Sequence, residues 1–431
     1  MPSSFKQISV IGLGYIGLPT AATFASRGVP VVGVDVKPAV VEQINRGEAH
    51  FPEPELDMLV QAAVSTGRLR AVTRPEPADA FIVAVPTPFT ADRQPDLHYI
   101  EAAAQAIAPV LKAGDLVVLE STSPVGATAR LAGWLAAARP DLRFPQQAGV
   151  DADIRVAHCP ERILPGRMIT ELVENDRIIG GMTPACTARA TALYRLFVTG
   201  ACLETSAEMA ELVKLTENAF RDVNIAFANE LSMLCDRLGL NVWEAIRLAN
   251  HHPRVNILTP GPGVGGHCIA VDPWFIVASA PETARLIRTA RDVNDSKPIH
   301  VLGQIRNHAR ILAATTATPP VIACLGLAYK ADVDDLRESP AVQIVRELAA
   351  EGIGAVLAVE PYTSTLPASL AAAGVLQVGL EEALERADIV VLLVDHAVFR
   401  ALPAPHRPGR VLIDTRGIWP AAAPPSRSKA P

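Results

Sequence analysis

The chain has 431 residues, 49% of them hydrophobic and 19% charged, which is enough for two or three domains with their own cores. Its 39 basic and 45 acidic residues give a formal charge of −6, a balance that argues against nucleic acid as partner; no Lys/Arg block suggests a membrane surface. Six scattered cysteines, at 159, 186, 202, 235, 268 and 324, contain no CxxC pair, so we expect reduced thiols, no disulfide framework and no metal site. The first residues lack the layout of a signal peptide and the apolar runs are too short to span a bilayer, so the expected location is the cytoplasm.

In chain order, short β-branched runs at 8–11, 31–34, 81–85 and 116–119 alternate with alanine-rich stretches. Continuous apolar strands separated by helices predict a parallel sheet covered on both faces. From about 205 to 300 no comparable run occurs. There Thr205-Ser-Ala-Glu208 fits a capping box, and a helical pattern continues to Leu238, before the stop signal Gly239. Strand-like runs resume at 321–327, 355–359, 389–394 and 411–413, after a linker at 315–320. The expected organisation is an α/β domain over 1–203, a helical domain over 204–314, a second α/β domain over 315–420 and a disordered tail over 421–431.

Three motifs carry chemistry. Gly12-Leu-Gly-Tyr-Ile-Gly17 follows the first strand and opens a helix, where a side chain would block the approach of a pyrophosphate to the helix N-terminus. Asp35 ends the second strand eighteen residues after Gly17. A carboxylate there accepts from ribose hydroxyls and repels a 2′-phosphate, which points to NAD. On the long helix, Lys214, Asn218 and Arg221 are spaced by four and three and share a face suited to a polar, anionic ligand. In Gly261-Pro-Gly-Val-Gly-Gly-His-Cys268-Ile-Ala-Val-Asp272, four glycines in six residues let the backbone lie against a ligand. Positive charge and oriented amides beside Cys268 would favour its thiolate, whereas the other five cysteines read as inert. A nucleophilic thiol next to a nicotinamide has a specific use. An aldehyde cannot give up a second hydride until something adds to its carbonyl, and a thiolate can do so.

Together with Val85-Pro-Thr-Pro88, Ser121-Thr-Ser-Pro-Val-Gly126, Pro160-Glu-Arg-Ile-Leu-Pro-Gly166, Lys214-Leu-Thr-Glu-Asn218 and Gly326-Leu-Ala-Tyr-Lys330, these motifs resemble the UDP-glucose/GDP-mannose dehydrogenase family over nearly the whole chain. The resemblance implies two Rossmann-like, doubly wound domains joined by a long central helix, a homodimer formed through the middle region, and a four-electron, NAD-dependent oxidation of a UDP-sugar. It implies Cys268 as nucleophile, Lys214 and Asn218 at the reacting oxygen, and Asp272 and Glu161 positioning or deprotonating water. Thr122 and Thr87 would lie near the nicotinamide ribose. Gly12, Gly14, Tyr15, Ile16, Gly17 and Asp35 would line the cofactor turn, and Arg337 would reach the cofactor from the C-terminal domain. Arg162, Ile163, Arg221, His252, Arg254, Gly265, Tyr329 and Lys330 would join Lys214 and Asn218 around the nucleotide sugar.

Two departures from the glucose-oxidising members narrow the substrate. They have Phe-Leu-Arg-Glu where this chain has Arg162-Ile-Leu-Pro165, and Cys-Phe-Pro-Lys-Asp where it has Cys268-Ile-Ala-Val-Asp272. The replacements are similar to the N-acetylhexosamine branch. They imply UDP-N-acetyl-D-mannosamine as substrate, with UDP-N-acetylglucosamine as the alternative within the same chemistry. A non-catalytic NAD-binding regulator is the alternative of another class.

Overall fold

The computed structural model describes residues 5–90, 92–164, 166–266 and 268–419. It divides into two compact units, Met1–Glu217 with Trp274–Pro281, and Asn218–Pro273 with Glu282–Pro431. The tail over 421–431 lies outside the described residues, as does His267.

The first unit is built on eight strands: β1 (Ile8–Ile11), β2 (Val31–Val34), β3 (Leu69–Val72), β4 (Ala80–Val83), β5 (Leu116–Leu119), β6 (Arg155–His158), β7 (Arg177–Gly181) and β8 (Cys202–Ser206). Their order is β3-β2-β1-β4-β5-β6-β7-β8. It is doubly wound, with the order reversing between β1 and β4, the place where such sheets open a crevice for a ligand. The continuous apolar runs follow from burial on both faces. Val10, Ile82 and Val118 enter one core, and their neighbours Ile11, Val83 and Leu119 enter the other. Each such side chain contributes roughly 1.5–3 kcal/mol on burial.

The sheet departs from the expected all-parallel pattern at one junction: β6 and β7 run antiparallel, pairing Ala157 with Gly181. The sequence reading also passed over β3, β6, β7 and β8. The residues of β8 are half-buried or exposed, so no apolar run marks them. This strand moves the helix start as well. Pairing of Thr205 and Ser206 with Gly180 and Gly181 claims their backbone for the sheet. The helix therefore begins at Ala207 and is capped by Ser206, whose Oγ accepts from Met209 N–H at 3.3 Å, in place of the Thr205 box.

From Ala207 the helix continues unbroken to Leu238, and Gly239 ends it with φ +67°. The division between the two units falls within it. In the second unit a polar ladder ties residues 218–238 to a second 32-residue helix, Arg285–Thr316. Asp222 pairs with Arg291 at 2.6 Å, Asn229 donates to Asn294 at 2.8 Å, and Lys297 donates to Ser232 at 2.6 Å. Further along, Asp236 accepts from Gln304 at 2.9 Å and lies 2.8 Å from His300. Arg291 and Asp222 are buried, and the fixed partners set the register of the two helices. The second helix also holds Pro298 in its interior.

The unit is completed by β9 (Val321–Leu325), β10 (Ala355–Val359), β11 (Leu376–Gln377), β12 (Ile389–Leu392) and β13 (Val411–Asp414). All pairings are parallel, in the order β11-β10-β9-β12-β13. Cys324, Ala358 and Val391 face one core, and Leu325, Leu357 and Val390 face the other. The expected α/β class, with two doubly wound sheets and a long central helix, is the fold observed.

Candidate functional site

In the first unit, Gly12 leaves β1 with φ +89°, and a Cβ there would lie 2.5 Å from Ala84 O. At Gly17 a Cβ would lie 1.8 Å from Gly12 O, so the turn closes only on glycine. Gly14 is exposed and faces open space, with nothing within 4 Å of a built Cβ. Tyr15 stacks on Phe51 at 4.3 Å between ring centroids, beside the half-buried Ile16. Asp35 accepts from Leu13 N–H at 3.1 Å and from Lys37 N–H at 2.9 Å. These bonds fix the carboxylate at the mouth of the turn and leave each oxygen a further lone pair. Open space over Gly14 and an acceptor held at the end of β2 fit a dinucleotide.

The loops after β4 and β5 are fastened to each other. Thr87 Oγ1 donates to Thr122 O at 2.5 Å, and Ser121 Oγ donates to Val85 O at 2.6 Å. Glu161 is buried; it accepts from Arg162 N–H at 2.7 Å and pairs with Arg177 at 2.7 Å. Arg177 also lies 3.5 Å from Glu120, a buried carboxyl that the sequence reading passed over. Burial, and next the charge of Glu161, push Glu120 up to about 8. Neighbouring carboxylates raise Arg177 well above its ordinary value although its burial opposes them. Arg162, expected at the nucleotide sugar, makes a two-bond pair with Glu217 at 2.7 and 3.2 Å. Ile163 packs at the rim of the core, and Lys214 is half-buried on the central helix.

In the second unit the structure brings together Asn218, Asp272 and Cys268. Asn218 Nδ2 donates to the buried carboxylate of Asp272 at 2.5 Å, and Asp272 N–H donates to Cys268 O at 2.8 Å. Cys268 is exposed, whereas Cys159, Cys186, Cys235 and Cys324 are buried and Cys202 is half-buried. Burial pushes the Cys159 and Cys324 thiols up to about 12, which leaves them inert at neutral pH. The glycine loop is pressed against residues 329–340. A Cβ on Gly265 would lie 2.5 Å from Glu338 O and 3.1 Å from Tyr329 Cβ; one on Gly263 would lie 3.0 Å from Pro298 Cγ. Thus Gly265 and Tyr329 are neighbours, with the exposed Lys330 next in sequence.

Arg221, His252 and Arg254 are exposed, and His252 Nδ1 accepts from Arg254 N–H at 3.3 Å. Arg337 pairs with Asp335 through two bonds, at 2.8 and 2.6 Å. The sequence reading missed Arg416. Its guanidinium bonds Asp395 at 2.8 Å and lies against the glycine loop, 2.6 Å from a Cβ built on Gly261. The signal was there in Asp414-Thr-Arg-Gly417, a polar turn just past the end of a strand, where doubly wound sheets bind ligands. Among the described residues, no three His, Cys, Asp or Glu side chains group as metal ligands, and no helix is long and apolar enough to cross a membrane.

Comparison with known proteins points to one family along most of the chain. Residues 6–198 match the NAD binding domain of the UDP-glucose/GDP-mannose dehydrogenase family, residues 208–296 its central domain and residues 323–421 its UDP binding domain. An NDP-N-acetyl-D-galactosaminuronic acid dehydrogenase of Ralstonia nicotianae is 65% identical over 417 residues, covering 97% of each chain. A UDP-N-acetyl-D-mannosamine dehydrogenase of Yersinia pestis is 60% identical over 419 residues, covering 96% of this chain and 100% of its own. The solved UDP-D-ManNAc dehydrogenase of Pyrococcus horikoshii has a TM-score of 0.85 at 41% identity, covering 96% of each chain. With glycines and an acceptor carboxylate shaped for the cofactor, the chain belongs to the UDP-glucose/GDP-mannose dehydrogenase family and is an NAD-dependent oxidoreductase.

Proposed function

We propose that the chain oxidises C6 of UDP-N-acetyl-D-mannosamine to the carboxylate, giving UDP-N-acetyl-D-mannosaminuronate. The observation that carries this reading is the exposed Cys268 at the end of a glycine loop, one helical turn before the Asp272–Asn218 pair. Bound NAD would accept one hydride in each of two oxidations, held by Gly12, Gly14, Gly17, Asp35, Thr87 and Thr122. In the first oxidation, of C6 from alcohol to aldehyde, a water held by Asp272 would take the proton of the C6 hydroxyl. The Cys268 thiolate then adds to the aldehyde carbon, forming a C–S bond and an oxyanion. Lys214 and Asn218 stabilise that oxyanion by charge and hydrogen bond. The second oxidation, at the same carbon, would convert this adduct to a thioester on Cys268. Water attacks it, with its proton passing to Glu161 or Asp272, and the C–S bond breaks to return the thiolate. Alcohol, one water and two NAD give carboxylate, two NADH and three protons. Tyr329, Lys330, Arg254, His252, Arg221 and Arg416 supply donors for the diphosphate and sugar.

NADH release and product mass, measured on UDP-N-acetylhexosamines of manno, gluco and galacto configuration, test the proposal. Two NADH per sugar and a uronate product are expected. Cys268→Ser should lose the second oxidation, and a fully active variant would refute the mechanism. A second reading, the galacto epimer, is favoured by the name of the Ralstonia relative, and the same panel decides it. A nucleotide-activated uronate is a glycosyl donor, so we assign the product to bacterial surface-polysaccharide assembly in the cytoplasm. A homodimer belongs to the same proposal. Phe220, Phe227 and Leu234, seven residues apart on the central helix, are 70%, 57% and 49% exposed, and a second copy of the chain would cover this stripe.

A further inference from the structure

The second sheet repeats a device of the first and uses it differently. In the first unit Asp35, directly after β2, accepts the N–H of Leu13, the residue after the strand-end Gly12. In the second, Gly326 follows β9 with φ +87°, and Glu360 directly follows β10. Glu360 Oε2 accepts from Leu327 N–H at 2.7 Å and Ala328 N–H at 3.0 Å, and Oε1 accepts from Tyr362 N–H at 3.1 Å. Asp35 is half-buried; Glu360 is buried, and His396 Nε2 lies 3.2 Å from its Oε2. Oε2 is saturated by these bonds and the carboxylate is buried, so it acts on the loop.

His396 is fully buried between the rings of Tyr362 and Phe399, at 5.0 and 5.5 Å. Its Nδ1 accepts from Asp332 N–H at 2.9 Å, which places the ring proton on Nε2, facing Glu360. Asp332 has φ +63°, uncommon for any residue but glycine. Its Oδ1 accepts from Ala397 N–H at 2.7 Å and Tyr362 O–H at 3.0 Å, and its Oδ2 pairs with Arg400 at 2.8 Å. Glu360 therefore grips the start of segment 327–332, His396 and Asp332 grip its end, and Tyr329 and Lys330 lie between.

We propose that Glu360, His396 and Asp332 are positioning residues that hold the Tyr329–Lys330 loop in the shape that receives the uridine diphosphate portion of the substrate. The inference rests on the reading of Tyr329 and Lys330 as nucleotide-sugar contacts. Calorimetric titration of the full-length enzyme with UDP, together with steady-state kinetics, tests it. Asp332→Ala removes the three side-chain bonds to Ala397, Tyr362 and Arg400 at a side chain open to solvent and is expected to weaken UDP binding and raise the KM for UDP-sugar by about tenfold. The KM for NAD should not move, and kcat should stay within about twofold. Asp332→Asn accepts the Ala397 N–H and tolerates the left-handed backbone, so it should restore most of the affinity. His396→Ala should show the same split. If its buried cavity prevents folding, Tyr362→Phe deletes a single bond and should weaken UDP by about threefold. Unchanged UDP affinity in Asp332→Ala, or a joint loss of kcat and of both KM values, would overturn the proposal. Failure of the unaltered enzyme to bind UDP would instead overturn the nucleotide-sugar reading, and the inference with it.

Discussion

Lys297 places an ammonium inside the second unit, 5% exposed, with its Nζ donating to the uncharged Ser232 Oγ at 2.6 Å. Burial lowers its pKa to about 8, and the charge of Asp236 offsets only part of that. In the unfolded chain the group would titrate near 10.5, so between the two values the unfolded state binds more protons and stability must rise with pH. At pH 7 the group is charged in both states and its burial costs roughly 3 kcal/mol, taking about 1.36 kcal/mol per pKa unit. Lys297→Met keeps the length and removes the charge, while Ser232 Oγ retains its bond to Asn229 O at 2.7 Å. We expect the methionine protein to be more stable at pH 7 by roughly 1–3 kcal/mol. That advantage should shrink across pH 8 to 10.5 as the native lysine loses its proton. Guanidinium unfolding of both proteins, followed by tryptophan fluorescence over this range, measures the difference, in which all other titrations cancel. A gap that stays constant with pH would refute the reasoning, whatever its sign.

Gly12→Ala should weaken NAD binding by at least about tenfold, measured by fluorescence titration, because the new methyl meets Ala84 O at 2.5 Å on a left-handed backbone. Asp35→Asn should narrow the preference for NAD over NADP by about tenfold or more in kcat/KM, since the charge that repels a 2′-phosphate is gone. Asp222→Ala removes one of the two carboxylates paired with the buried Arg291, leaving Asp295, and should cost about 1–3 kcal/mol in denaturant unfolding, with a matching drop in melting temperature.

Local chemistry was legible in the sequence because it depends on residue type at short range. The apolar runs at 8–11, 31–34, 116–119 and 355–359 coincide with strands, since a strand buried on both faces is apolar at nearly every position, with Ser9 the polar exception in β1. Gly12, Gly17 and Gly239 announce backbone that a side chain would forbid, and Cys268 stands out by its glycine-rich neighbours. Tertiary structure decided what no short window contains. The exposed strand β8 forms only because β7 offers it a partner, and that pairing displaced the helix cap from Thr205 to Ser206. The antiparallel joint of β6 and β7, the Glu120–Arg177–Glu161 cluster and the Glu360–His396–Asp332 network each join residues dozens of positions apart. A carboxylate in the sequence shows only that charge is available. Whether burial raises its pKa, an arginine neutralises it or backbone amides fill it depends on neighbours that the folded chain alone supplies.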